Sequence, residues 1–194
     1  MMLDARSAII DNDFVNSLAE SRLTDETFLA ALRTVFSDLN LQAVMHPLVW
    51  EHELLQKRPR IALMIREQII RKAEFLDIFQ GDPSKKAYYI YLVKELYASL
   101  TGDRFPAADE MLLQYWVRRM SLGEVHSIAM CLVCGCGIFL SDDGDAKALK
   151  RHIEKRALGS VTVYNRAEFL RKHAAEGERS LDRHDLRSLS HGLN

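Results

Sequence analysis

Apolar residues along this chain repeat with two periods, one suited to strands and one to helices. Residues 7–10 form a short apolar run that ends at Asp11, which predicts a first strand. Thr24 then stands before two acids as a helix N-cap, and Phe28, Leu32, Val35, Phe36 and Leu39 recur at helical spacing. Residues 41–45 predict a second strand, stopped by His46-Pro47. A helix that begins near Leu48 carries Trp50, Glu51, Glu53 and Leu54.

From residue 60 to 120 the pattern reads as helix throughout. One stripe is Ile65, Ile69, Ala73 and Leu76, and a second is Tyr88, Leu92, Leu96 and Leu100. Gly81-Asp82-Pro83 and Thr101-Gly102-Asp103 interrupt it, and a third helix is predicted over 107–120. Strand and helix signals then alternate again: helix from Gly123 to Cys134 with Gly135 as its stop, strand over 136–141, helix over 145–155, strand over 161–164 and helix over 166–175. Strands separated by helices at both ends of a chain predict an α/β fold of three layers, with a central, mostly parallel sheet flanked by helices and an enlarged helical middle. The expected organisation is one domain over 1–175 with a helical insertion at about 57–121, and a polar, extended tail over 176–194.

Composition narrows the function classes. The 194 residues are 48% hydrophobic and 27% charged with a formal net charge of −1, so no global field marks a nucleic-acid or membrane binder, and any basic surface must be local. The first ten residues, MMLDARSAII, hold an acid where a secretory leader needs basic residues. The longest uncharged stretch, 127–141, is too short for a bilayer and broken by glycines. These features predict a cytoplasmic protein with no membrane partner. Three cysteines close together in CLVCGCG are no disulfide framework. Cys131, Cys134 and Cys136 with His126 or His152 would be a zinc set, but a helix-to-strand turn at Gly135 sends the thiols apart, so they read as core.

The chemistry lies in the acids. In a parallel sheet, residues just past the carboxyl ends of the strands gather along one edge, where ligands bind. Asp11 and Asp13 follow the first strand, Glu53 follows the second on its helix, Glu124 begins the helix that leads to the next strand, and Asp142, Asp143 and Asp145 follow that strand. Clustered carboxylates repel one another, and a hard divalent cation such as Mg²⁺ or Mn²⁺ resolves the conflict. Turn formation, capping of the following helix by Asp145, and solvated helix faces are the structural alternatives for the same acids.

The motifs AIID ending at Asp11, VWEHEL around Glu53, and GEVHSIAMCLVCGCGIFLSDDGDAKALKR over 123–151 together resemble the PIN-domain nucleases. Gly123, Glu124, Ile128, Ala129, Gly135, Leu140, Ser141, Asp142 and Asp143 occupy the last motif. The resemblance implies a PIN fold and a Mg²⁺- or Mn²⁺-dependent ribonuclease. It implies a catalytic and metal set of Asp11, Glu53, Glu124, Asp142 and Asp143, with Asp145 as an outer member, and it puts Ser141 at the hydroxyl position that helps to hold the site together. Asp13 stands where the family usually has Asn, and the chain carries more helical sequence between Glu53 and Glu124 than the small toxins of toxin–antitoxin pairs.

Ser141, Lys147, Lys150 and Arg151 are the expected substrate contacts. Lys57 to Arg60, Lys85-Lys86 and Arg118-Arg119 are further candidates for the phosphate backbone. Tyr88, Tyr89, Tyr91 and Tyr97 could stack on single-stranded bases, but at their spacing Tyr88 and Tyr91 read as core or subunit interface. RNA or another single-stranded nucleic acid is the expected substrate, an antitoxin-like inhibitor a further partner, and a homodimer the expected assembly. Two other readings stay open. IIDNDFV carries the D-x-D of haloacid-dehalogenase-like phosphatases, with Asp11 as nucleophile and Asp13 as general acid, although Phe14 replaces their usual Gly-Thr. A catalytically inactive PIN-like module that binds RNA or protein is the other.

Overall fold

A computed structural model describes residues 3–117, 121–176 and 181–190. The chain forms β1 (Ser7–Ile10), α1 (Asn12–Ala19), α2 (Asp25–Asp38), β2 (Gln42–Met45), α3 (Pro47–His52), α4 (Pro59–Arg66), β3 (Ile70–Lys72), α5 (Phe75–Phe79) and α6 (Pro83–Thr101). It continues with α7 (Leu122–Cys134), β4 (Ile138–Leu140), α8 (Gly144–Arg156), β5 (Thr162–Tyr164), α9 (Arg166–Glu176) and α10 (Arg183–Ser190). The five strands make one sheet in the order β3-β2-β1-β4-β5, and every described pairing is parallel.

Alternate residues of the strands feed two cores. Ile9, Val44, Phe139 and Val163 face the layer of α5, α6, α7 and α8, whereas Ala8, Ile10, Ala43, Met45 and Leu140 face the layer built around α1, α2, α4, α9 and α10. Strands buried on both faces explain why residues 7–10 and 138–140 are almost wholly apolar. The order places β1 and β4 side by side at the centre, with the chain winding outward from them in both directions. Their carboxyl ends therefore flank the topological switch point, where α/β sheets open a crevice.

The middle of the chain departs from expectation. Residues 60–120 are not helical throughout: Ile70–Lys72 is the edge strand β3, paired with β2, and residues 109–114 form turns where a third helix was predicted. Arg118 and Arg119, and the end of that predicted helix, lie outside the described residues. On α6 it is Tyr89 and Tyr97 that are buried; Tyr88 and Tyr91 are 40% and 46% exposed and stack on each other at 6.2 Å. The polar tail is also not simply extended. Arg183–Ser190 is a helix that packs on α2 and α9 and buries Leu189. No helix among the described residues is long and apolar enough to cross a membrane.

Candidate acidic site

Asp11 is the first residue beyond β1. Its N–H continues the ladder to Leu140 on β4 at 2.9 Å, which fixes its backbone at the centre of the sheet edge. One carboxyl oxygen accepts from Asn12 N at 2.8 Å and so caps α1; the other accepts from Ser141 Oγ at 3.3 Å. Asp11 is 2% exposed. The Ser141 hydroxyl also lies 3.5 Å from Asp13 Oδ1 and accepts from Asp143 N at 3.1 Å. Ser141 is itself buried, and its hydroxyl lies between Asp11 and Asp13.

Two helix ends supply the other acids. Glu53 is the C-cap residue of α3, where its N–H bonds to Val49 at 2.9 Å. Glu124 lies in the first turn of α7. Gly123 permits their approach, because a Cβ there would stand 3.0 Å from Glu53 Oε1 and 3.2 Å from Oε2. The fully buried Tyr89 ties these two segments together. Leu48 N donates to His46 Nδ1 at 3.2 Å, which leaves the His46 proton on Nε2. That Nε2 is 2.8 Å from Tyr89 Oη, and Tyr89 in turn reaches His126 Nδ1 at 2.7 Å. Donation runs in one direction, His46 to Tyr89 to His126, and leaves the buried His126 Nε2 without a partner among the described residues. His46 caps α3, which leads to Glu53, and His126 lies on α7 just after Glu124. Burial holds both imidazoles neutral, His46 well below its ordinary range and His126 down to about 3.

The electrostatics agree with acids drawn near one another. Burial first, then repulsion from Glu124, Asp13 and Glu53, raises the Asp11 carboxyl well above its ordinary range. Burial and the charges of Asp142 and Asp143 push Asp13 up to about 6. Burial and Asp13 push Glu53 up to about 7; burial, then Asp143, Glu53 and Asp13, do the same to Glu124. Four carboxyls from three separate segments thus hold protons more tightly than isolated acids do. Asp13, which the sequence pattern treats as a departure that adds charge, is a full member of this group. As they stand, no three His, Cys, Asp or Glu side chains among the described residues are close enough set to hold a metal ion.

The remaining predicted residues lie around this nucleus. Asp142 is exposed and its Oδ1 accepts from Arg166 N at 2.7 Å, at the start of α9. Asp143, also exposed, is the N-cap of α8 and accepts from Asp145 N at 2.8 Å, so the cap is Asp143 and not Asp145. Asp145 accepts from Ser121 Oγ at 2.6 Å, joining the starts of α7 and α8. Lys147 is paired with Glu168 at 2.8 Å and Lys150 with Glu154 at 2.6 Å, so neither expected phosphate contact is an unpaired cation. Arg151 is exposed. Arg60 is structural: its guanidinium donates to the carbonyls of Ser21 and Leu23, pairs with Asp25 at 3.0 Å and sits 5.1 Å over the Phe28 ring. Cys131 and Cys136 are buried in the core beside α7, and Cys134 packs at its edge.

The His46–Tyr89–His126 chain was not marked by the sequence. Its members are 43 and 37 residues apart and form no ligand-like spacing. Comparison with protein-family models, with curated proteins and with solved structures finds no match to this chain.

Proposed function

We propose that this chain is a metal-dependent phosphodiester hydrolase of the PIN-like type, acting on RNA with Mg²⁺ or Mn²⁺. One observation carries the reading: the carboxyls of Asp11, Asp13, Glu53 and Glu124 gather at the carboxyl ends of the two central strands, where burial first and then neighbouring acids, Asp142 and Asp143 among them, raise their proton affinity. A protein that gathers such acids without a cation or a proton destabilises itself, and hard all-oxygen donor sets suit Mg²⁺ and Mn²⁺. The donors fit such an ion chemically.

When bound, such a cation supplies a polarised phosphate oxygen and an activated water. The chain's own residues perform the rest. Asp11 and Asp13, held by the Ser141 hydroxyl, present oxygens at the switch point; Glu53 and Glu124 add theirs from the end of α3 and the first turn of α7. With proton affinities near neutrality, Glu53 and Glu124 are suited to exchange a proton with an attacking water or a leaving oxygen. No side-chain nucleophile is required. The phosphatase reading has less support, because both Asp11 oxygens are already engaged, by Asn12 N and by Ser141, and the side chain is buried.

The test is purified protein with single-stranded RNA and Mn²⁺ or Mg²⁺, with EDTA and Asp11→Asn as controls. Cleavage abolished by both controls is expected. Robust cleavage that survives both excludes this site, and RNA binding without cleavage favours the inactive-module reading.

A further inference from the structure

Four near-parallel rings run from the core to the rim of the acidic site. His46 stacks on His126 at 5.3 Å and 28°; His126 lies 6.5 Å from Trp116 at 28°; Trp116 stacks on His52 at 5.2 Å and 16°. His46 and His126 are fully buried, Trp116 is half-buried, and His52 is exposed. The column therefore ends in solvent at a ring whose neighbour in the chain is Glu53. Trp116 is the only described ring against His52. Such an end is unusual for a packing device: an exposed imidazole gains little by ordering against an indole unless its outer face has a use.

We propose that His52, backed by Trp116, is a stacking platform for one unpaired base of a single-stranded nucleic acid whose backbone enters the acidic site. The proposal rests on the hydrolase reading and names the substrate class of that same site. Aromatic faces bind any base through its π-face and require it to be out of a duplex, so the platform selects single strands without reading sequence. The surroundings suit this occupant. Leu55, three residues after His52, and Val117, next to Trp116, are 45% and 41% exposed, and Lys57 follows in the same exposed stretch, where a cation meets phosphates; Arg58 beyond it is engaged with Asn16 Oδ1 at 3.3 Å and Glu20 at 4.0 Å. The ring behind is fixed: Trp116 packs between His52 and the buried His126, so stacking does not have to order the platform first.

The experiment measures binding of a short single-stranded RNA that carries the fluorescent base 2-aminopurine. It compares wild type, His52→Ala and His52→Phe, in Ca²⁺ to suppress turnover, with the same sequence as a duplex. Quenching of the base on binding is expected in wild type. His52→Ala should weaken single-strand binding about tenfold and lose the quenching, His52→Phe should restore both, and duplex binding should not respond to either change. Single-strand binding and quenching unchanged in His52→Ala, in a variant that still cleaves RNA, overturn the platform and leave the hydrolase reading standing. Wild-type protein that neither binds nor cleaves RNA overturns both.

Discussion

The hydroxyl of Ser141 donates to Asp11 Oδ2 at 3.3 Å across 130 residues of sequence, from the end of β4 to the end of β1. This bond joins the two central strands at the point where the chain reverses its winding. With Asn12 N on the other oxygen, it is one of two neutral donors placed to stabilise the charged form of a deeply buried acid. Ser141→Ala should therefore raise the proton affinity of Asp11 further, cost about 1 kcal/mol of stability at neutral pH, and reduce metal-dependent cleavage about tenfold. Ser141→Thr should retain most of both. Denaturant unfolding and cleavage rates measured side by side check this; equal activity in the Ala and Thr variants would show that the hydroxyl is dispensable.

Stability should fall with rising pH in the absence of divalent cations. Asp11, Asp13, Glu53 and Glu124 all bind protons more tightly folded than unfolded, so the folded state carries the extra protons. Stability that is present on the acid side is lost as pH passes about 6 for Asp13 and about 7 for Glu53 and Glu124. The loss, discounted for solvent screening, is of the order of a few kcal/mol. Mg²⁺ or Mn²⁺ should restore it on the alkaline side and do little near pH 5, because protons and cations compete for the same oxygens. Thermal unfolding at about pH 5.5 and about pH 8, with and without Mn²⁺, is the measurement. A cation effect of equal size at both values would place the ion elsewhere.

Much of this site was legible before the fold was known, for a physical reason. Strands buried on both faces write continuous apolar runs, so 7–10 and 138–140 stood out, and the acids immediately after them marked the sheet edge. The strand β3 did not, because Ile65, Ile69 and Ala73 also satisfy a helical stripe and the strand itself holds Ile70 beside two basic residues at an edge. On α6 the stripe held at Leu92 and Leu96, which are buried, and failed at Tyr88. Tyr88 and Tyr91 share a face, but that face is outward, and Tyr89 is the buried one since both of its partners lie far away in sequence. Helix α10 was hidden by its charges, with Leu186 and Leu189 as its described apolar anchors. Asp142 and Asp143 were read as ligands from a motif that fixes residue types; the coordinates add that one oxygen of each accepts from Arg166 N and Asp145 N, while their charges still act on Asp13.

Tyr89→Phe should be costly although it removes one atom. It leaves the His46 Nε2 proton and the His126 Nδ1 lone pair without partners in a dry interior, a loss of about 2–4 kcal/mol. Because these histidines lie on the segments that carry Glu53 and Glu124, metal-dependent cleavage should decline in the variant at temperatures where it is still folded. Equilibrium unfolding checks the first part, and cleavage well below the unfolding midpoint checks the second. A change within experimental error in both would mean that water takes the place of the phenol oxygen.

Gly123→Ala separates folding from function most sharply. Alanine in the first turn of α7 favours the helix over glycine by up to about 1 kcal/mol. Its Cβ would press on both oxygens of Glu53, at 3.0 and 3.2 Å, and the carboxylate must move by a few tenths of an ångström. That end of Glu53 is flexible enough to move, so the fold should be unchanged or slightly more stable. The displaced oxygens, however, shift relative to Asp13 and Glu124, and the cation response at alkaline pH should weaken along with cleavage. A variant that gains stability while its Mn²⁺-dependent thermal shift collapses is the expected result. Full retention of that shift would mean that Glu53 stands outside the cation's reach, and the site would then be reduced to Asp11, Asp13 and Glu124.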